Sequence, residues 1–208
     1  FYFEYDVPSS PTNFSNLYSS YVTDSNIQNY VNNTQNKFNS GDVNGNVKQF
    51  FDTVLKTNWK DISEGPDSFV EQAFQILNSE KGTINITLQG SASFGGSDTY
   101  NKALAQRRID SVVEYFKSTK LKTFIDEKKT LTIKSVAEGE STVIPVGPLG
   151  SGDGFNCTDS VKDKNGKVIN KYSTKDIACR RVKIKDIQVT PTTSNNPKNG
   201  LKGSETSN

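Results

Sequence analysis

The sharpest constraint in this sequence is a change of hydrophobic period across a glycine-rich turn. Ile84, Ile86 and Leu88 alternate with polar residues, which predicts a strand over residues 83–89 with one buried face. Gly90 to Gly96 then reads as a Gly/Ser turn. Beyond it the spacing becomes three and four. Leu104, Ala105, Ile109, Val112, Val113 and Phe116 fall on one side of a long helix that Ser97 or Asp98 would cap. A strand that feeds straight into an amphipathic helix must bury both apolar faces together, so this stretch predicts the centre of an α+β domain.

The flanking residues extend that unit. Pro66-Asp67-Ser68 marks a helix start, Val70, Ala73, Phe74 and Leu77 give its buried stripe, and Gly82 fits just past its end. Leu131 and Ile133 open another strand, and Val182, Ile184, Ile187 and Val189 form the last. Phe1 to Val7 alternates like a first strand, which Pro8 and Pro11 end. Residues 12–62 are rich in Asn and Ser, yet Phe14, Leu17, Tyr18 and Tyr21, then Ile27, Tyr30 and Val31, then Val47, Phe50, Phe51, Val54 and Leu55 recur at helical spacing. Their aromatics read as core packing rather than ligand stacking. A polar loop runs from about Glu138 to Lys175, and from Thr190 the composition is that of a chain without fixed structure of its own. The expected architecture is a small mixed sheet with helices packed on one side. It forms a domain over 1–189, with its core in 1–8 and 64–189, a helical insertion at 12–62 and a polar tail at 190–208.

Composition removes several classes of function. The 208 residues include no His, so the Ser-His-Asp and Cys-His nucleophile systems and the commonest metal ligand are excluded. A net charge of +2 gives no electrostatic case for nucleic acid, and no run is apolar enough to span a bilayer. Mean hydropathy is -0.64, so much of the surface should be solvated or face a partner. Cys157 and Cys179 lack the further soft ligands of a zinc site and the CxxC spacing of a redox motif. They fit a disulfide better than two free thiols, and hence an oxidising compartment; the closed loop would contribute about 3 kcal/mol less any strain. The chain opens at Phe1 without a leader pattern and so reads as part of a longer, processed protein. No cofactor, metal or enzymatic activity is expected.

The segment from Gly90 to Phe116 resembles the signature of the OmpA-like, peptidoglycan-associated family. Gly90, Gly96, Tyr100, Asn101, Leu104, Arg108, Val112, Val113 and Tyr115 fall in step with it. Gly139-Glu140-Ser141 is similar to the family's Gly-Glu-Ser after its third strand, and Arg180-Arg181-Val182 to the Arg-Arg-Val that opens its last. The likeness covers roughly 64–189 plus Phe1 to Val7, and paired cysteines in the intervening loop also resemble some members. It implies a βαβαββ sandwich and non-covalent binding of the diaminopimelate of peptidoglycan stems. That ligand end is zwitterionic, and Arg108 would hold its carboxylate with a forked pair of hydrogen bonds. Asn101 lies two helical turns earlier on nearly the same face. The family's ligand-binding Asp falls on Ser93, which carries no charge, and its preceding Thr falls on Ala92. Loss of the charged partner of a partly buried ammonium costs about 1.5–3 kcal/mol, tenfold to over a hundredfold in affinity. Asp98 is a nearby acid that could stand in.

Each of these residues also has a plainer reading. Arg108 could pair with Asp110 or Glu114, and Asn101 could be a first-turn cap. Arg180 and Arg181 read as solvated charges or a loop clamp. Gly90, Gly95 and Gly96 lack the Lys-Ser/Thr ending of a phosphate loop. Glu138 and Glu140 could share a face as paired carboxylates, but nothing else points to a glycosidase. The resemblance implies a periplasmic or outer-membrane-associated module that anchors a longer protein to peptidoglycan, weakened at Ser93. The alternative is a structural subunit of an envelope or virion assembly that has lost the ligand and contacts neighbouring proteins through residues 12–62 and 190–208.

Overall fold

A computed structural model describes residues 1, 3, 56–93, 95–127, 130–140, 143–144, 155–156 and 179–192. The helical stripes expected from Phe14 to Leu55, the tail beyond Thr192 and Cys157 lie outside the described residues.

In chain order the elements are α1 (Lys56–Ser63), α2 (Phe69–Asn78), β1 (Gly82–Ser91), α3 (Asp98–Lys117), α4 (Lys122–Glu127), β2 (Leu131–Gly139), β3 (Val143–Ile144), β4 (Phe155–Asn156) and β5 (Val182–Pro191). The chain is α+β. Its main sheet has the order β2-β1-β5, with β2 parallel and β5 antiparallel to the central β1. The short β3 and β4 pair antiparallel with each other within the loop expected to be irregular. Phe1 extends the sheet beyond β5: its N–H donates to Val182 O at 2.9 Å and its carbonyl accepts from Val182 N at 2.8 Å, while Phe3 N donates to Arg180 O at 2.8 Å. These three bonds follow the antiparallel pattern and agree with a first strand at the start of the chain.

Local chemistry sets the element ends. Ser68 caps α2 by accepting from Glu71 N at 3.3 Å, and Ser97 caps α3 by accepting from Tyr100 N at 3.2 Å. Along β1 the residues with even numbers are buried while Thr83, Asn85 and Thr87 are half-buried, so the helices cover one face. Ile84, Ile86 and Leu88 meet Val70 and Leu77 of α2, Ile109, Val112 and Phe116 of α3, and Ile125 of α4 in one core. Each such side chain contributes about 1.5–3 kcal/mol by leaving water. Phe1 joins this core edge-on to Phe116, with ring centroids 5.8 Å apart.

Three features differ from the sequence expectation. Gly90 and Ser91 are not turn residues but the last two of β1, because β2 and β5 continue the ladder on both sides of them. At Gly90 a Cβ would stand 2.6 Å from Ala105 O and 2.9 Å from Ile109 Cγ1, so the absence of a side chain lets α3 close onto the strand. The segment after α3 forms α4, whose Ile125 is buried in the core beside Leu121; six residues are too few for a periodic signal. Strand β5 runs on through Pro191, two residues into the stretch assigned to the tail, since Thr83 and Gly82 of β1 pair with Thr190 and Pro191.

Candidate functional site

A cavity of about 170 Å³ opens between the segment that leaves β1 and the first turns of α3. Ser93, Gly95, Gly96, Tyr100, Asn101, Leu104 and Arg108 line it. Three of the residues singled out by the sequence therefore converge: Ser93, Asn101 and Arg108. Gly90 and Asp98 do not line the cavity. Gly90 serves the strand–helix contact, and the carboxylate of Asp98 turns to the surface, where it accepts from Lys102 Nζ at 2.8 Å.

Helical periodicity places Asn101, Leu104 and Arg108 on the side of α3 that faces the sheet. Arg108 is 0% exposed and Asn101 1% exposed, unusual for polar residues that line a cavity. Arg108 Nη1 donates to Ser91 O at 2.7 Å, and its guanidinium carbon lies 5.5 Å from the centre of the Phe3 ring. The acids weighed as partners are engaged elsewhere: Asp110 accepts from Gln106 Nε2 at 2.8 Å and Glu114 from Lys117 Nζ at 2.7 Å. Ser91 in turn donates its hydroxyl to Cys179 O at 2.7 Å, which ties the floor of the site to the start of β5. Cys179 is buried and disulfide-bonded.

The side chain of Asn101 does not cap its own helix, as one sequence reading allowed. It donates to Glu140 Oε1, and the same oxygen accepts from Gly95 N at 3.1 Å. Glu140 reaches this corner because the β1–β2 register slips between Gly90 and Ser91, so that Ser91 pairs with Gly139 and Ala92 N donates to Gly139 O at 2.8 Å. The backbone then turns at Gly139, whose φ is 61°, and carries Glu140 toward α3. No cation pairs with Glu140 among the described residues. Burial raises its pKa, the Gly95 N–H opposes that rise, and the charge of Asp98 adds to it. Gly96 sits beside Asn101 with φ at 117°, a region open to glycine, and a Cβ there would crowd Asn101 Oδ1 at 3.1 Å.

Glu140 is the site residue that sequence reasoning undervalued. Its signal was present in Gly139-Glu140-Ser141, but nothing local tied that triplet to Asn101. Arg180 is fully buried rather than solvated, and its carbonyl accepts from Phe3 N, while Arg181 O accepts from Ser91 N at 2.9 Å. The two arginines thus mark where the first residues, β1 and β5 are sewn together. Among the described residues no three His, Cys, Asp or Glu side chains gather as a metal site, and no helix is long and apolar enough to cross a membrane.

The chain matches no family model, no curated protein and no solved structure.

Proposed function

We propose that this chain is a non-catalytic, OmpA-like envelope module that anchors a larger protein or machine to peptidoglycan by binding stem-peptide diaminopimelate. The observation that carries the reading is the convergence of Arg108, Asn101 and Ser93 on one cavity. A guanidinium in a largely buried pocket is suited to a carboxylate, because the fork donates two parallel bonds where water competes little. The mixed order β2-β1-β5, with a helix crossing between β1 and β2, agrees with the resemblance stated from the sequence. The periplasm or outer membrane is the compartment this function requires, and the disulfide of Cys179 is compatible with it.

A second reading, a structural subunit that has lost the ligand, is favoured by a different observation. Ile187 and Val189 of β5 lie opposite Ile86 and Ile84 on the helix-covered face, yet are 45% and 47% exposed. Apolar residues standing open on a sheet fit contact with a neighbouring protein.

Co-sedimentation with isolated peptidoglycan separates the two. The anchor reading predicts that the native chain is retained and that Arg108→Lys, which keeps the charge but loses the fork, is retained at least tenfold less. A native chain that stays in solution, beside a Ser93→Asp variant that sediments, would establish the structural reading instead.

A further inference from the structure

We infer that Glu140 supplies the ammonium-binding carboxylate of this pocket, so that the ligand is an amino-acid zwitterion held between Glu140 and Arg108. This rests on the anchor reading above and names the residue that makes it workable with Ser93 in place of an acid.

Three features of the site lead here. The first is position. Glu140 Oε1 is fixed by Gly95 N and Asn101 Nδ2, two groups on residues that line the cavity, and Arg108 lines it two helical turns further along α3. Two turns span about 10 Å. The second is the state of Glu140 itself. Its Oε1 is occupied by two N–H donors, while its Oε2 makes no hydrogen bond and no ion pair among the described residues. Glu140 is not itself among the lining residues, so a ligand ammonium would meet its Oε2 at the edge of the cavity, beside Gly95 and Asn101. The third is the surplus of other roles already filled. Asp98 is paired with Lys102 at the surface, and Ser93 can offer only one uncharged hydrogen bond. Glu140, by contrast, is bonded to two residues of the cavity lining, Gly95 and Asn101.

The fold brings this about at a distance in sequence. A one-residue slip where β1 meets β2 sets Gly139, rather than Glu138, opposite Ser91, and the chain that leaves Gly139 carries Glu140 to Gly95 and Asn101. The acid that the family's pattern would place on the β1 side is then supplied from the β2 side. The ligand class follows from the two charges. A stem peptide with diaminopimelate offers an ammonium and a carboxylate on one carbon, whereas one with lysine offers the ammonium alone.

The test is calorimetric titration of the 208-residue chain with a soluble stem tetrapeptide carrying diaminopimelate, and with the same peptide carrying lysine. The native chain should bind the first at least tenfold more tightly than the second. Glu140→Gln keeps an acceptor for Gly95 and Asn101 but no charge, and should lose tenfold or more. Adding Ser93→Asp to Glu140→Gln should restore most of that loss, which a misfolded variant could not do. Undiminished binding by Glu140→Gln would overturn the assignment of Glu140 and leave the anchor reading standing. Equal binding of the two peptides would overturn the zwitterion. A loss that Ser93→Asp does not repair would mean that Glu140 only braces the Gly95–Asn101 corner. No binding by the native chain would overturn the anchor reading itself, and this inference with it.

Discussion

Glu140 is held where its charge is unfavourable to the free protein. Burial raises its pKa above the ordinary value of 4.5, the Gly95 N–H pulls the other way, and the charge of Asp98 on α3 adds to the rise. Lys102, which packs against Gly139, is turned to Asp98 rather than to Glu140. The sign of the linkage follows. A carboxyl whose folded pKa is raised binds its proton more tightly in the folded chain, so its contribution to stability is present below pH 4.5 and is lost as pH rises through the folded value. Glu140→Gln removes that loss. The difference in unfolding free energy between variant and native should therefore be small in acid and should grow in the variant's favour toward neutral pH, as read by urea titrations at several pH values. A flat difference would show that Glu140 titrates as an ordinary surface acid. A group that lowers stability at working pH is a common mark of a site kept for binding rather than for folding.

At the scale of elements, the β1–α3 unit positions everything else. Its legibility was high because two periodicities change at one place: Ile84, Ile86 and Leu88 alternate, and Leu104 to Phe116 repeat at helical spacing, so the strand, the helix and their shared core could be read directly. The end of β1 could not, because Gly90 and Ser91 look like turn residues and become strand only through partners on β2 and β5. The close approach at Gly90 gives a direct check. Gly90→Ala would drive a methyl group into Ala105 O, a backbone atom that cannot swing aside, at a cost of about 1–3 kcal/mol. The urea midpoint should fall accordingly. An unchanged midpoint would mean that α3 can ride away from β1, and the cavity between them would then lack a fixed shape.

Across the whole molecule, the site is assembled from residues far apart in the chain. Arg108 and Asn101 were legible because helical spacing puts them on one face. The meeting of Glu140 with Asn101 was not, because it depends on the register slip at Gly90/Ser91 and on the turn at Gly139, and neither has a local pattern. The burial of Arg180 was missed for the same reason: a charged pair at a strand start reads as solvated until the first residues of the chain are laid beside it. Among the described residues the order α2-β1-α3-β2-β5, by contrast, followed from periodicity and turn residues, while α1, the short α4 and the β3–β4 pair did not. The central claim is that one pocket, between the end of β1 and α3, receives a zwitterion. The most direct measurement is an NMR titration of the full chain with the diaminopimelate tetrapeptide, following backbone amides and arginine side-chain N–H signals. The account predicts saturable shifts concentrated at Gly95, Gly96, Asn101, Glu140 and the guanidinium of Arg108. No shifts in that group, or shifts confined to the open edge of β5 around Ile187 and Val189, would contradict it.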